Sequence, residues 1–319
     1  MRVAVIGIGN MGKHHARVYS KLKNVKLVAI SDLDEKKKKI ARKFGCKFYR
    51  NYKEMLKKEK IDAVSVVVPT KLHEEIAIEC IKAGKNILIE KPISNTIESA
   101  KRIIREAKKN KVKLTVGHIE RFNPAVQKLK EIIKKGELGK VTTIVVRRVG
   151  VFPPQVKDAN VIIDIGVHDI DVLSYLLRKK PKNIFARSGR AISRNRDDYA
   201  DILLKYDGTN AFIQVNWITP VKIRRLAVTG TKGYAELDYI TQELVLYRSN
   251  YRRIDDFSDV IKFGTPDIVK VRVRKSEPLR LELENFIECI SKNKKPIVSG
   301  EDGLNALDAA LKAIEACKL

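Results

Sequence analysis

The run Val3-Ala4-Val5-Ile6-Gly7-Ile8-Gly9-Asn10-Met11-Gly12, with Asp32 twenty residues beyond Gly12, constrains the fold more than any other feature of the chain. An apolar strand that meets three glycines at this spacing must turn sharply and enter a helix. Gly7 permits the turn, Gly9 lets backbone N–H groups approach a pyrophosphate, and Gly12 lets the helix sit close to the sheet. The helix N-terminus then faces the phosphates with its partial positive charge. Asp32 ends a second apolar run, 25–31, where a carboxylate can accept hydrogen bonds from both ribose hydroxyls. Gly7, Gly9, Asn10, Met11, Gly12 and Asp32 are therefore the candidate dinucleotide-binding residues. Asp32 favours NAD, because it would repel a 2′-phosphate, while the lysines at 36–39 leave NADP open.

A chain of 319 residues, 44% of them hydrophobic, can bury the core of one large domain or two smaller ones. No apolar run approaches the length of a membrane span, and the first residues enter a strand with no leader pattern, so the expected compartment is the cytoplasm. Cys46, Cys80, Cys289 and Cys317 show neither CxxC nor Cys/His metal spacing and read as thiols in a reducing compartment. No metal site is expected. The formal charge of +27 invites a nucleic-acid reading, but the lysines cluster on polar faces and ends of predicted helices, with no aromatic residues interleaved for stacking. Specific nucleic-acid binding and membrane association are not expected. The positive charge instead suits an anionic cofactor and an anionic small-molecule substrate.

The pattern predicts an α/β fold whose first part is a doubly wound parallel sheet. Strands are expected at 2–7, 25–31, 62–68, 86–90 and 112–117, with helices near 11–22, 34–44, 72–83 and 96–109. These strands are nearly continuous Val/Ile/Ala runs, as burial on both faces requires. Asn123-Pro124 starts a further helix as a cap followed by proline. From Val141 the runs shorten and alternate, predicting a large, open, mainly antiparallel sheet from strands at 141–149, 183–192, 198–206, 210–217, 223–229, 233–238, 243–248 and 268–274. Asp207-Gly208 signals a hairpin. Helices are expected at 168–178, 278–292 and 303–317. The expected domains are 1–120, binding the dinucleotide, and 121–319, binding substrate and oligomerising, with the last helix a candidate to return to the first.

Three stretches could carry chemistry. Glu90-Lys91-Pro92 follows a strand at the carboxyl end of the predicted parallel sheet, where such sheets bind ligands. Beside a nicotinamide, the Lys91 ammonium can hydrogen-bond a substrate hydroxyl and stabilise the alkoxide formed as hydride leaves; the plainer reading is a surface ion pair with Glu90. Asp164 and His168 lie four apart, so a helix places them on one face, where the carboxylate orients the imidazole. The plainer reading makes Asp164 a helix cap, with Asp169 and Asp171 answering the dipole. The segment Thr115 to Pro124 places Arg121 and Asn123 after a buried strand, as candidates for substrate contact or as a hinge and cap. Pro69, Thr70 and His73 end another strand and are candidates for cofactor contact, whereas His14 and His15 read as packing or surface residues.

Taken in order, Gly7–Gly12, Val68-Pro69-Thr70 with His73, Glu90-Lys91-Pro92, Asp164-Ile165-Gly166-Val167-His168-Asp169 and Ser299-Gly300-Glu301-Asp302-Gly303 resemble the Gfo/Idh/MocA oxidoreductases along the whole chain. The resemblance implies a Rossmann domain followed by an α/β domain whose open sheet makes homodimer or homotetramer contacts. It further implies NAD- or NADP-linked oxidation or reduction of a ring carbinol. Lys91 would then bind the reacting oxygen, His168 serve as acid/base, Asp164 orient the pair, and Glu90 join the cofactor-binding set. The stretch 117–124 resembles that of UDP-N-acetylglucosamine 3-dehydrogenases, which implies a nucleotide-sugar substrate oxidised at C3, with Arg121 and Asn123 on the substrate side. Dehydrogenation of an unactivated sugar, inositol or uronic-acid nucleotide sugar stays open within the enzyme class. A cofactor-sensing regulator is the alternative of another class.

Overall fold

The computed structural model describes residues 1–151, 159–253 and 261–318, which cluster into two units. The first comprises Met1–Phe122 with Glu277–Asp308, the second Asn123–Ser276 with the chain from Ala309.

Strand and helix alternate through the first unit: β1 (Arg2–Ile6), α1 (Gly12–Tyr19), β2 (Lys26–Ser31), α2 (Lys38–Lys43), β3 (Lys47–Tyr49), α3 (Tyr52–Lys58), β4 (Ala63–Val66), α4 (His73–Lys82), β5 (Asn86–Glu90), α5 (Ile97–Lys109) and β6 (Leu114–Gly117). The strands pair in parallel in the order β3-β2-β1-β4-β5-β6. Successive strands step outward from β1 on one side and from β4 on the other, so their boundary is the switch point where open α/β sheets bind ligands. Val3, Ala4, Val5, Val64, Val66, Leu88 and Ile89 are wholly buried, which accounts for unbroken apolar runs where a one-sided strand would alternate. The sequence pattern passes over β3 and α3. A three-residue edge strand and a seven-residue helix are too short to show a period; Asn51 starts α3 by accepting the Lys53 N–H.

The second unit holds α6 (Pro124–Lys134), β7 (Val141–Val151), α7 (Val167–Leu177), β8 (Asn183–Gly189), β9 (Tyr199–Tyr206), β10 (Thr209–Asn216), β11 (Ile218–Gly230), β12 (Gly233–Asp238), β13 (Glu243–Arg248), β14 (Tyr251–Arg253), β15 (Ile261–Phe263) and β16 (Asp267–Lys270). Eight of these strands form one sheet, β16-β13-β12-β11-β7-β10-β9-β8. It is antiparallel except where β10 runs parallel to β7. The hairpin at Asp207-Gly208 forms as expected, with Gly208 at φ +80. On β10, Ala211, Ile213 and Val215 are buried and alternate with exposed Asn210, Phe212 and Gln214, so one face of this sheet is core and the other is open.

The chain then adds α8 (Pro278–Ser291) and α9 (Gly300–Ala316). Leu279, Leu283 and Phe286 of α8 join the core that α1 and β1 build around Ala16 and Tyr19. Ahead of α9, Ser299 bridges Thr115, extending the β6 edge by one bridge.

Candidate active site

In the first unit the candidate residues lie at the carboxyl ends of β1, β2, β4 and β5. Gly7 adopts φ +88 and its N–H bonds the Ser31 carbonyl at 2.8 Å; a Cβ there would overlap the Val67 carbonyl. One on Gly12 would overlap the carbonyl of Gly7, which is how α1 comes to start so close to the turn. Gly9 differs. A Cβ built on it meets nothing within 4 Å, so the protein's own packing does not demand glycine there, and the bare backbone faces open space. Gly9 and Asn10 are both exposed. Asp32 follows β2 directly, and its carboxylate accepts the N–H of Ile8 at 2.6 Å and of Asp34 at 2.9 Å. The acid is thereby aimed at the glycine turn. A bare backbone at the mouth of a helix, with an oriented carboxylate beside it, fits a dinucleotide.

From β5, Glu90 is buried while Lys91 is half-buried. The Lys91–Pro92 bond is cis. Glu90 Oε2 accepts the Lys91 N–H at 3.2 Å, and Oε1 lies 3.0 Å from His15 Nε2. Glu90 is thus held from below, away from the exposed loop surface. His73 is also fully buried, its ring nitrogens 2.9 Å from the carbonyls of Pro92 and Val68. It ties the loops after β4 and β5 together. Burial lowers its pKa, with the hydrogen bonds to the two carbonyls partly opposing. Pro69 is exposed and Thr70 half-buried at the turn before α4.

Arg121 is 5% exposed, and its guanidinium donates to the Ile297 carbonyl at 3.2 Å and pairs with Asp302 at 3.1 Å. It pins the turn after β6 to the loop before α9. In the second unit Asn123 is 1% exposed and caps α6, accepting the Ala125 N–H at 3.1 Å and donating to the Tyr239 carbonyl at 3.0 Å. Both residues occupy the hinge-and-cap positions of the plainer reading.

In the second unit the candidate residues Asp164 and His168 lie at the start of α7 and in the turn before it. Asp164 does not cap this helix, contrary to the plainer expectation. Residues Ile162–Gly166 form a π-helical turn that continues into α7, and Asn160 starts it, its side chain accepting the Ile163 N–H at 3.0 Å. Asp164 lies inside the wide turn, one helical turn from His168, and both are half-buried. Such turns are concentrated at functional sites because they re-aim side chains within a continuous helix. Directly beneath, Asp169 is wholly buried and accepts from Arg148 Nε of β7 with both oxygens, at 2.9 and 2.8 Å. The Arg148 guanidinium lies over the Tyr239 ring, 4.8 Å from its centroid. Asp169 therefore fastens α7 to the sheet.

Three residues escaped the sequence reading. Arg148 gave only a basic residue in a strand. His15, three residues after Gly12, is buried as the packing reading has it, but its bond to Glu90 is not visible in the sequence. Glu282 gave a signal that was there to be seen: a carboxylate within the apolar series Leu279, Glu282, Leu283, Phe286, at helical spacing.

The fold of the first unit and its glycine turn are those of an NAD-dependent oxidoreductase with a Rossmann unit. Residues 1–118 match the family model described as "Oxidoreductase family, NAD-binding Rossmann fold", and residues 126–236 match the Gfo/Idh/MocA C-terminal domain. The chain belongs to the Gfo/Idh/MocA family. It is 28% identical to UDP-N-acetylglucosamine 3-dehydrogenase of Acidithiobacillus ferrooxidans over 99% of this chain and 98% of that protein. It is 29% identical to myo-inositol 2-dehydrogenase of Thermotoga maritima over 99% and 96%. A solved structure of the Acidithiobacillus enzyme superposes with a TM-score of 0.86 at 27% identity, covering 99% of this chain and 97% of that one. Among the described residues no helix is long and apolar enough to cross a membrane.

Proposed function

We propose that this protein oxidises a ring hydroxyl of a sugar to a ketone, and that its substrate is a nucleotide sugar, UDP-N-acetylglucosamine, oxidised at C3. The observation that carries the reading is Lys91, half-buried at the end of β5 beside the switch point, in a chain similar end to end to a 3-dehydrogenase of that nucleotide sugar. When bound, NAD supplies the hydride acceptor. Lys91 hydrogen-bonds the hydroxyl oxygen and stabilises the alkoxide as the C–H hydride departs. His168 takes the hydroxyl proton, and Asp164 orients and supports the imidazolium. The products are the ketone, NADH and a proton. The turn Gly7–Gly12 cradles the pyrophosphate, Pro69 and Thr70 contact the cofactor from the β4 side, and Asp32 binds the adenosine ribose. Arg121 and Asn123 serve the substrate side indirectly, by setting the turns that carry it. The open face of the large sheet, where Val145, Phe185 and Phe212 are 45, 58 and 46% exposed, is the surface through which copies of the chain associate.

The equally similar inositol dehydrogenase supports a second reading, oxidation of an unactivated polyol. The test is NADH formation from NAD with UDP-N-acetylglucosamine, UDP-glucose, free N-acetylglucosamine and myo-inositol, with an aminotransferase to draw off the ketone. Selective turnover of UDP-N-acetylglucosamine with the keto group at C3 supports the first reading. Turnover of inositol alone replaces the substrate and keeps the residue roles. Binding of NAD without turnover of any of the four would favour a cofactor sensor.

A further inference from the structure

Behind Lys91, three buried side chains from separate elements of the first unit converge: His15 of α1, Glu90 at the end of β5 and Glu282 of α8. A ring nitrogen of His15 and one carboxyl oxygen each of Glu90 and Glu282 all lie within 4.8 Å of one another. His15 and Glu282 are 0% exposed and Glu90 is 8% exposed. Glu90 divides its carboxylate between His15 and the Lys91 backbone, whereas both oxygens of Glu282 lack a hydrogen-bond partner among the described residues. An ionised carboxylate in that position, beside a second one and away from water, would be very costly. A protonated carboxyl has an O–H to donate, and each oxygen of Glu90 has a lone pair to spare.

The two acids are driven apart. Burial, then the charge of Glu90, pushes Glu282 well above the usual carboxylate range. Burial also pushes Glu90 up, but the hydrogen bond and charge of His15, with Lys91, prevail and hold it below its ordinary value. Tyr19 of α1 also faces Glu282; burial raises its phenol, which bonds the Ser65 hydroxyl at 2.9 Å. The buried Glu282, with neither oxygen hydrogen-bonded among the described residues, is the member of the group placed to hold a proton.

We propose that Glu282 is a positioning residue: it donates a carboxylic-acid proton to Glu90, and Glu90, braced between His15 and Glu282, holds the backbone of Lys91 and so the place of its ammonium. The link to turnover rests on the reading of Lys91 as the group at the reacting oxygen. The donor on Glu282 does not, and is tested separately.

Infrared spectra of the full-length protein at neutral pH should show the carbonyl stretch of a protonated carboxylic acid that disappears in Glu282→Gln. Glu282→Leu should lower kcat on the order of tenfold, as a small displacement of a catalytic group does, and displace the pH profile of kcat with NAD affinity unchanged. Glu282→Gln, whose amide still donates to Glu90, should recover most of that loss. The proposal is overturned if the band is absent, if Leu and Gln behave alike, or if elemental analysis finds a stoichiometric divalent ion that Glu282→Gln removes, making the three residues metal ligands. Should no substrate be turned over at all, the band still decides the state of Glu282, and only the dehydrogenase reading fails.

Discussion

The candidate residues of the two units are placed by different means. In the first unit the functional groups hang from strand ends, and the backbone dictates which residues can stand there: Gly7 because φ is +88, Asp32 because two N–H groups converge on its carboxylate. In the second unit Asp164 and His168 ride on a wide helical turn, and what places them is a buried ion pair, Arg148–Asp169, which no local backbone rule requires. The first arrangement is a property of the chain's path; the second is a property of packing. They should therefore fail differently.

The largest effect expected is on chemistry. Lys91→Ala should lower kcat by roughly 10²–10⁴ while leaving NAD affinity within a factor of about two, since it serves the reacting oxygen and not the dinucleotide. His168→Ala should cost a similar factor, and the Lys91→Ala/His168→Ala pair should cost much less than the product of the two. Additive losses in steady-state kinetics would mean that the two residues serve different steps.

Next comes the ion pair. Arg148→Met should destabilise the second unit by about 3–5 kcal/mol, because it removes the guanidinium from which both oxygens of the wholly buried Asp169 accept. Arg148→Met/Asp169→Leu should regain most of that in denaturant unfolding. A single variant as stable as the wild type would remove the pair as the fastening of α7.

Smaller effects separate two glycines of one turn. Gly7→Ala should cost about 1–3 kcal/mol of stability, because alanine is strained at this φ and its Cβ meets the Val67 carbonyl. Gly9→Ala should leave stability within about 0.5 kcal/mol yet weaken NAD binding, measured by calorimetry. Equal stability loss in both would show that Gly9 serves the fold and not the ligand.

The smallest effect is that of pH on the first unit. Burial lowers the His73 pKa, so the unfolded chain binds more protons than the native one as pH falls through the ordinary histidine value of 6.5, and stability declines on that side. Denaturant midpoints at about pH 7.5 and about pH 5.5 should differ more for the wild type than for His73→Gln. Identical differences would assign the slope to other groups.

The glycine turn, the place of Asp32 beside it and the core strands of the first sheet were legible because each follows from a local rule: φ, spacing or unbroken hydrophobicity. Asp207-Gly208 was legible for the same reason. The π turn at Ile162–Gly166 was not, since nothing in its side chains distinguishes an i→i+5 from an i→i+4 bond. For Arg121 and Asn123, polar residues after a buried strand, the sequence leaves both substrate contact and a hinge or cap open, because the partners that fix them, Asp302 and the Tyr239 carbonyl, are more than a hundred residues away.

By itself the chain determined a doubly wound first half, a mainly antiparallel second half and the dinucleotide turn, because these depend on periodicity and on backbone angles that neighbouring residues set. Tertiary structure alone decided that α8 would cover α1, that Glu282 would enter the core beside His15 and Glu90, and that Arg148 would reach Asp169. These depend on which distant groups share one low-dielectric space. The charge a side chain can hold there is set by its neighbours, not by its place in the sequence.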